Sequence, residues 1–241
     1  MFGKNPVEKA SENDDNRVRV VKGSPFYTIQ GEGPYMGHPA VFLRLHGCNL
    51  RCWFCDTQFS DEDDPDIDQE LLGSQVASLM NHNKCDLLVI TGGEPARWHL
   101  GALLHSIRQN VCLPTIQIET AGTIWKPWMK TVDIIVSPKT PKIHPEVDKH
   151  AKAFKYIVGS DVYVTSEGQF RANTQEKRSL YQLDLPDHLA YPSIVTTPIY
   201  VSPCDEYDPA VNKLNQQHVA EIAMKFGYRV SLQMHKILDL L

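Results

Sequence analysis

Leu87-Leu88-Val89-Ile90-Thr91-Gly92-Gly93-Glu94-Pro95 is a short apolar run that passes without a linker into two glycines, a carboxylate and a proline. An apolar run of this length bounded by turn residues predicts a buried strand. The same transition recurs along the chain. Ile118 gives way to Glu119-Thr120-Ala121-Gly122, Val136 to Ser137-Pro138-Lys139, Val201 to Ser202-Pro203-Cys204-Asp205, and Met234 to His235-Lys236. In parallel α/β sheets and barrels, functional groups gather where strands end at their carboxyl edge. The expected fold is therefore α/β, an incomplete TIM-like barrel with one mouth.

The remaining elements follow from periodicity. Strands are expected over 17–22, 40–45, 115–119, 133–136, 153–158, 199–201 and 229–233, and short-to-medium helices over 68–81, 97–110, 125–130 and 209–226. The first helix carries apolar residues at 71, 72, 76, 79 and 80, and the second at 100, 103, 104 and 107. Residues 160–192 show no clean period and receive no assignment. Residues 1–16 are polar and are expected to be a mobile tail ahead of a single domain, 17–241. Within the acidic run Asp61-Glu62-Asp63-Asp64-Pro65-Asp66 the glycine and ligand spacing of a calcium loop is missing, so a solvated loop is expected.

Composition narrows the function. The chain has 241 residues, 42% of them hydrophobic, enough for one domain with a sizeable core. A net charge of −5 with no basic stripe argues against nucleic-acid binding. No apolar run approaches the roughly 20 residues of a membrane span, and Met1 to Asn16 lacks a signal peptide, so a cytoplasmic location is expected. Cys85, Cys112 and Cys204 are scattered and read as reduced, buried thiols.

The other three cysteines stand together in Cys48-Asn49-Leu50-Arg51-Cys52-Trp53-Phe54-Cys55, directly after the 40–45 strand and so on the same rim. Thiolates select zinc, copper(I) or iron–sulfur clusters. A closed zinc site needs a further pair of ligands, and no second pair is present; His46 lies only two residues before Cys48, cramped for a fourth. Three ligands and an open position suit a four-iron, four-sulfur cluster with one iron left free to bind a ligand.

C-x3-C-x2-C with Phe54 before the last cysteine resembles the signature of the radical S-adenosylmethionine superfamily, and Gly92-Gly93-Glu94-Pro95 resembles the loop that there holds the cofactor's amino group. Ile29-Gln30-Gly31-Glu32-Gly33, Cys55-Asp56-Thr57, Glu119-Thr120-x-Gly122, Ser137-Pro138-Lys139 and His235-Lys236 resemble one family within it, the 7-carboxy-7-deazaguanine synthases. The resemblance runs from about Phe26 to Leu241, omitting much of 160–192. It implies a partial barrel of the radical S-adenosylmethionine type. It also implies conversion of 6-carboxy-5,6,7,8-tetrahydropterin to 7-carboxy-7-deazaguanine plus ammonia, on the route to queuosine and related deazapurines, with Mg2+ assisting. The radical chemistry belongs to the cofactor, so no side chain is expected to be catalytic in its own right.

Carried over by position, the resemblance implies that Cys48, Cys52 and Cys55 hold the [4Fe–4S] cluster and Thr57 the Mg2+. Phe54, Gly93, Ser137, Pro138, Lys139 and the loop Ser202, Pro203, Cys204 and Asp205 would line S-adenosylmethionine. Ile29, Gln30, Gly31, Arg44, Thr91, Glu119, His235 and the terminal carboxylate of Leu241 would hold the pterin. It implies too a homodimer served by an electron donor such as a flavodoxin-type protein. The 202–205 loop departs from the family pattern, with Ser202 and Cys204 where a glutamine and a methionine are expected. Plainer roles exist for single positions: Arg44 as a structural ion pair, His235 as a core histidine, Glu119 as a structural acceptor. Two other functions share the cysteine loop, an activase for a glycyl-radical enzyme and a non-catalytic zinc-binding module.

Overall fold

The computed structural model describes residues 5–10, 16–59, 63–159, 162–172, 174 and 188–240. The strands are β1 (Arg17–Arg19), β2 (Phe26–Ile29), β3 (Pro39–Leu45), β4 (Asp66–Asp68), β5 (Leu87–Gly92), β6 (Thr115–Thr120), β7 (Asp133–Val136), β8 (Ala151–Val158), β9 (Tyr163–Val164), β10 (Phe170–Arg171), β11 (Ile199–Pro203) and β12 (Arg229–Val230). The helices are α1 (Gln69–His82), α2 (Gly101–Asn110), α3 (Pro145–His150), α4 (Pro209–Phe226) and α5 (Met234–Ile237).

One eight-stranded sheet, in the order β12-β11-β8-β7-β6-β5-β3-β2, carries the architecture. Every neighbouring pair in it is parallel except β2 with β3. β2 and β12 are its two edges and are not paired with each other, so the barrel is partial, as expected. The carboxyl-terminal segment bridges the gap: Gly33 N donates to Ser231 Oγ at 2.8 Å and Met234 N to Gly31 O at 3.2 Å.

Strand side chains alternate between faces with period two, and here the alternation separates packing from function. Val41, Leu43, Leu45, Leu88, Ile90, Ile116, Ile118, Ile134, Val136, Phe154, Tyr156, Val158 and Val201 belong to one apolar core shared with Leu72, Val76, Met80, Leu103 and Ile107 of α1 and α2. Each such side chain, fully buried, is worth roughly 1.5–3 kcal/mol. The intervening residues, including Arg44, Thr91, Glu119, Lys155 and Ser202, line a concave cavity instead.

Helix ends match local chemistry. Asp68 caps α1 by accepting from Glu70 N at 2.9 Å and Leu71 N at 3.1 Å. The buried stripe is Leu72, Val76 and Met80, whereas Leu71 is exposed, one position off the face. α4 starts with Pro209 after the Asp208 cap and stops at Gly227, whose φ of 72° is left-handed. The expected helix over 97–110 is instead a 3-10 turn at Pro95–Arg97 followed by α2, and that over 125–130 is a 3-10 turn at Pro127–Thr131. In 160–192 a short hairpin of β9 and β10 buries Phe170, which stacks on Tyr156 at 4.1 Å.

Three local expectations change. Cys112 is exposed, because it falls in the loop beyond the end of α2; Cys85 and Cys204 are buried. Asp64, expected in a solvated loop, is buried and accepts from Lys22 N at 2.9 Å while its other oxygen meets His46 Nδ1 at 2.7 Å. Residues 5–9, expected to be mobile, pack on the cysteine loop through Glu8 N to Cys48 O at 2.7 Å and a bridge between Val7 and Cys48.

Candidate active site

The loops after β3, β5, β6, β7 and β11 and the carboxyl-terminal segment converge on one cavity. It is open at its mouth, and its empty space including that mouth is about 1330 Å³. Of the residues expected to form the site, Cys48, Cys52, Cys55, Phe54, Thr57, Gly93, Ser137, Lys139, Ser202, Pro203, Cys204, Asp205, Gln30, Arg44, Thr91, Glu119 and His235 line it. Pro138 does not; it lies in an adjoining crevice with Trp53 and Phe54. Ile29 ends β2 and is half-buried without lining the cavity, and Gly31, packed under His235, does not line it either. Leu241 lies outside the described residues.

On one wall are the three cysteine thiols, free of disulfides. Burial pushes the Cys48 thiol up to about 12, with Glu94 adding to the effect, and the Cys55 thiol up to about 11. Loading a metal there must displace those protons. Among the described residues no group of three or more His, Cys, Asp or Glu side chains converges on a single-ion position. His46 takes no part in the cavity, being held by Asp64 and by Glu8 Oε1 at 3.3 Å.

The Gly93 loop is pressed onto the cysteine loop. Gly93 N donates to Leu45 O and Glu94 N to Gly47 O, both at 2.9 Å. A Cβ at Gly93 would collide with the Gly47 carbonyl. Glu94 is fully buried and accepts from Thr120 Oγ1 at 2.7 Å, Ala121 N at 2.8 Å and Ala96 N at 3.0 Å. Burial pushes its carboxyl up, and those three donors oppose the shift. Lys139 donates to Ser137 Oγ at 2.6 Å and lies 5.8 Å from the Phe54 ring centroid; burial lowers its pKa. Ser202 Oγ is buried and has no hydrogen-bond partner among the described residues. A cluster and a polar cofactor fit this wall: three thiols, a glycine approach and an orphan hydroxyl face the same space.

The rest of the lining comes largely from strand interiors. Arg44 and Thr91 are register partners on β3 and β5. The Arg44 guanidinium lies 5.0 Å from the Phe26 ring centroid, and among the described residues it has no carboxylate partner. Glu119 is held by Gln30 Nε2 at 3.3 Å, Gln117 Nε2 at 3.2 Å and Lys155 Nζ at 3.2 Å. Lys155 also pairs with Glu32 at 2.5 Å and is only 4% exposed. Burial opposes its charge, yet Glu119 and Glu32 outweigh burial and hold its pKa above the lysine value. His235 sits against Gly31, where any Cβ would overlap its Nδ1. Burial lowers the His235 pKa, which favours the neutral ring, with Glu32 pulling the other way.

Sequence reasoning missed Lys155, Glu32, Gln117 and Gln233. Lys155 had a signal, a lone cation inside the apolar strand Ala153–Val158, the same pattern that drew attention to Arg44. Gln117 and Glu119 alternate with Ile116 and Ile118, which marks a polar face on a buried strand.

No family model matches the chain. A 7-carboxy-7-deazaguanine synthase from Rhodospirillum rubrum is 34% identical over 247 residues, covering 100% of both chains. One from Rickettsia prowazekii is also 34% identical over 247 residues, covering 100% of this chain and 96% of the relative. The chain belongs to the 7-carboxy-7-deazaguanine synthase family. The fold of the chain is similar to that in the crystal structure of QueE from Escherichia coli, which matches with a TM-score of 0.59 at 21% identity over 90% of this chain and 93% of that one. As a 7-carboxy-7-deazaguanine synthase family member, the chain is a radical S-adenosylmethionine lyase that uses a [4Fe–4S] cluster and S-adenosylmethionine. No described helix is long and apolar enough to cross a membrane.

Proposed function

We propose that this chain converts 6-carboxy-5,6,7,8-tetrahydropterin to 7-carboxy-7-deazaguanine with release of ammonia, in queuosine biosynthesis. The observation that carries the reading is that two groups of residues line one cavity. The three-cysteine loop and the Gly93 loop form one, and Arg44, Glu119 and His235 the other.

Each group has work suited to its chemistry. Arg44, with no carboxylate partner among the described residues, offers a planar fork to the pterin carboxylate. Glu119, paired with Lys155, accepts from the aminopyrimidinone N–H groups, and Gln30 fixes the direction of that acceptor. Readout of this kind leaves buried groups unpaired when the wrong ring binds, the strongest basis for discrimination. His235, pressed against Gly31, closes the substrate side. Glu94 receives the cofactor's ammonium, which favours the carboxylate that burial alone disfavours. Thr57, at the mouth with its Oγ1 3.1 Å from Asp56 Oδ1, supplies a hard oxygen for Mg2+ beside the substrate carboxylate. When bound, the cluster and S-adenosylmethionine supply the adenosyl radical that takes hydrogen from C6. The side chains orient the ring and exclude water. We further take the enzyme to act as a cytoplasmic homodimer reduced by a flavodoxin-type donor, which the family resemblance supports.

An anaerobic assay of reconstituted protein with S-adenosylmethionine, reductant, Mg2+ and 6-carboxytetrahydropterin tests the proposal. Carboxydeazaguanine in excess over cofactor consumed, absent in Cys52→Ala, is the expected result. Cleavage of the cofactor without conversion of the pterin would overturn the substrate assignment.

A further inference from the structure

Residues 5–9 run beside the cysteine loop and touch it at several points. Asn5 is 3% exposed. Its Nδ2 donates to Thr57 O at 2.8 Å and to Cys55 Sγ at 3.6 Å, while its Oδ1 accepts from Phe59 N at 3.4 Å. Three residues on, Glu8 N donates to Cys48 O at 2.7 Å. The Glu8 carboxylate pairs with Arg97 Nη2 at 2.8 Å and His46 Nε2 at 3.3 Å. Arg97 Nε in turn donates to Lys9 O at 2.9 Å, and Arg97 closes the turn that begins at Glu94 and Pro95. The segment thus ties together both loops of the cofactor wall.

We propose that residues 5–9 are a clasp on the cluster loop, and that Asn5 is a positioning residue whose amide N–H raises the reduction potential of the cluster by donating to Cys55 Sγ. The proposal rests on the assignment of Cys48, Cys52 and Cys55 as cluster ligands. In the unloaded chain the Cys55 thiol donates to Thr57 O at 3.2 Å. As a thiolate ligand Cys55 has no proton to give and becomes an acceptor, and the Asn5 amide carries a proton aimed at it. Hydrogen bonds to cluster sulfurs are among the groups that set the potential. Such a bond strengthens as charge accumulates on sulfur, so it favours the reduced state. The same side chain holds the Thr57 carbonyl, coupling the clasp to the residue offered to Mg2+.

The test is an anaerobic potentiometric titration of the full-length loaded protein, with the reduced cluster followed by electron paramagnetic resonance. Asn5→Leu removes both N–H donors at similar volume; Asn5→Asp keeps the shape and replaces the donor with a charged acceptor. The expected order of potentials is wild type, then Asn5→Leu, then Asn5→Asp. The step to Asn5→Leu is about tenfold in the one-electron reduction equilibrium, or about 59 mV. Where leucine is not tolerated, Asn5→Ser shortens the side chain out of reach of Sγ and reads the same shift. Equal potentials across the series at full iron content would overturn the clasp. Wild-type iron content and spectrum test the cluster assignment separately, so failure of one is not mistaken for failure of the other.

Discussion

Lys155→Met is the substitution that bears most directly on substrate recognition. The lysine is buried between Glu32 and Glu119, with Nζ 2.5 and 3.2 Å from their oxygens. Methionine keeps the length and removes the charge, leaving two carboxylates facing each other with little water. Breaking a buried ion pair by removing one partner costs about 3–5 kcal/mol. The protein can lessen that cost by protonating one carboxyl, because like charges in a shared site raise a carboxyl pKa. Either response turns Glu119 away from the pterin or changes it from acceptor to donor. A hydrogen bond to a charged group is worth about 1.5–3 kcal/mol, so kcat/KM should fall about 10- to 150-fold. Activity in the variant should recover partly as pH rises and the carboxyl ionises again. The wild type should lack that rise. Its Lys155 pKa is held above 10.5, so the ion pair contributes fully below about pH 10.5 and is lost only as pH climbs through the folded value. The assays are equilibrium denaturation and steady-state kinetics across roughly pH 6–9. Stability within about 1 kcal/mol of wild type together with kcat/KM within about twofold would refute the role given to Lys155.

Three further substitutions probe other parts of the cavity. Gly31→Ala must displace His235, since the added Cβ overlaps its ring; KM for the pterin should rise about tenfold or more with an unchanged far-ultraviolet spectrum, and a normal KM would separate His235 from the substrate. Arg44→Lys keeps the charge and loses the fork, so kcat/KM should drop about tenfold or more, whereas equal kinetics would remove the carboxylate from Arg44. Lys236→Met breaks the 2.6 Å pair with Asp205, whose carboxyl Lys236, Tyr207 N and Asn212 hold at about 2 against the opposing effect of burial. That depressed pKa contributes stability above about pH 3.8 that is lost as pH falls through about 2. The variant should therefore unfold at a higher pH in acid titration. Because the pair is partly exposed, stability at pH 7 should change by no more than about 1 kcal/mol.

The chain alone was enough to read the strand ends, the three-cysteine loop and most of the cavity lining. Those features are local: an apolar run ending in Gly-Gly-Glu-Pro, or thiols at fixed spacing, carry their chemistry within a few residues. The alternation in Thr115–Thr120 was also legible, with Gln117 and Glu119 alternating with the buried Ile116 and Ile118. What the sequence could not decide was which charges meet. Glu32 and Lys155 are 123 residues apart, and only the curvature of the sheet brings them together to fix Glu119. Asp64 looked solvated because its neighbours are acidic; the fold buries it because His46 and the Lys22 amide offer it donors. Pro138 sits in a motif whose flanking residues reach the cavity, but the direction of its own ring follows from backbone geometry at the end of β7. Asn5 and Glu8 lie in a polar stretch with no period, and their partners at Cys55 and Arg97 are supplied by other elements. Periodicity and motif spacing encode what one segment does to itself; long-range pairing of buried polar groups is encoded only in the packed chain.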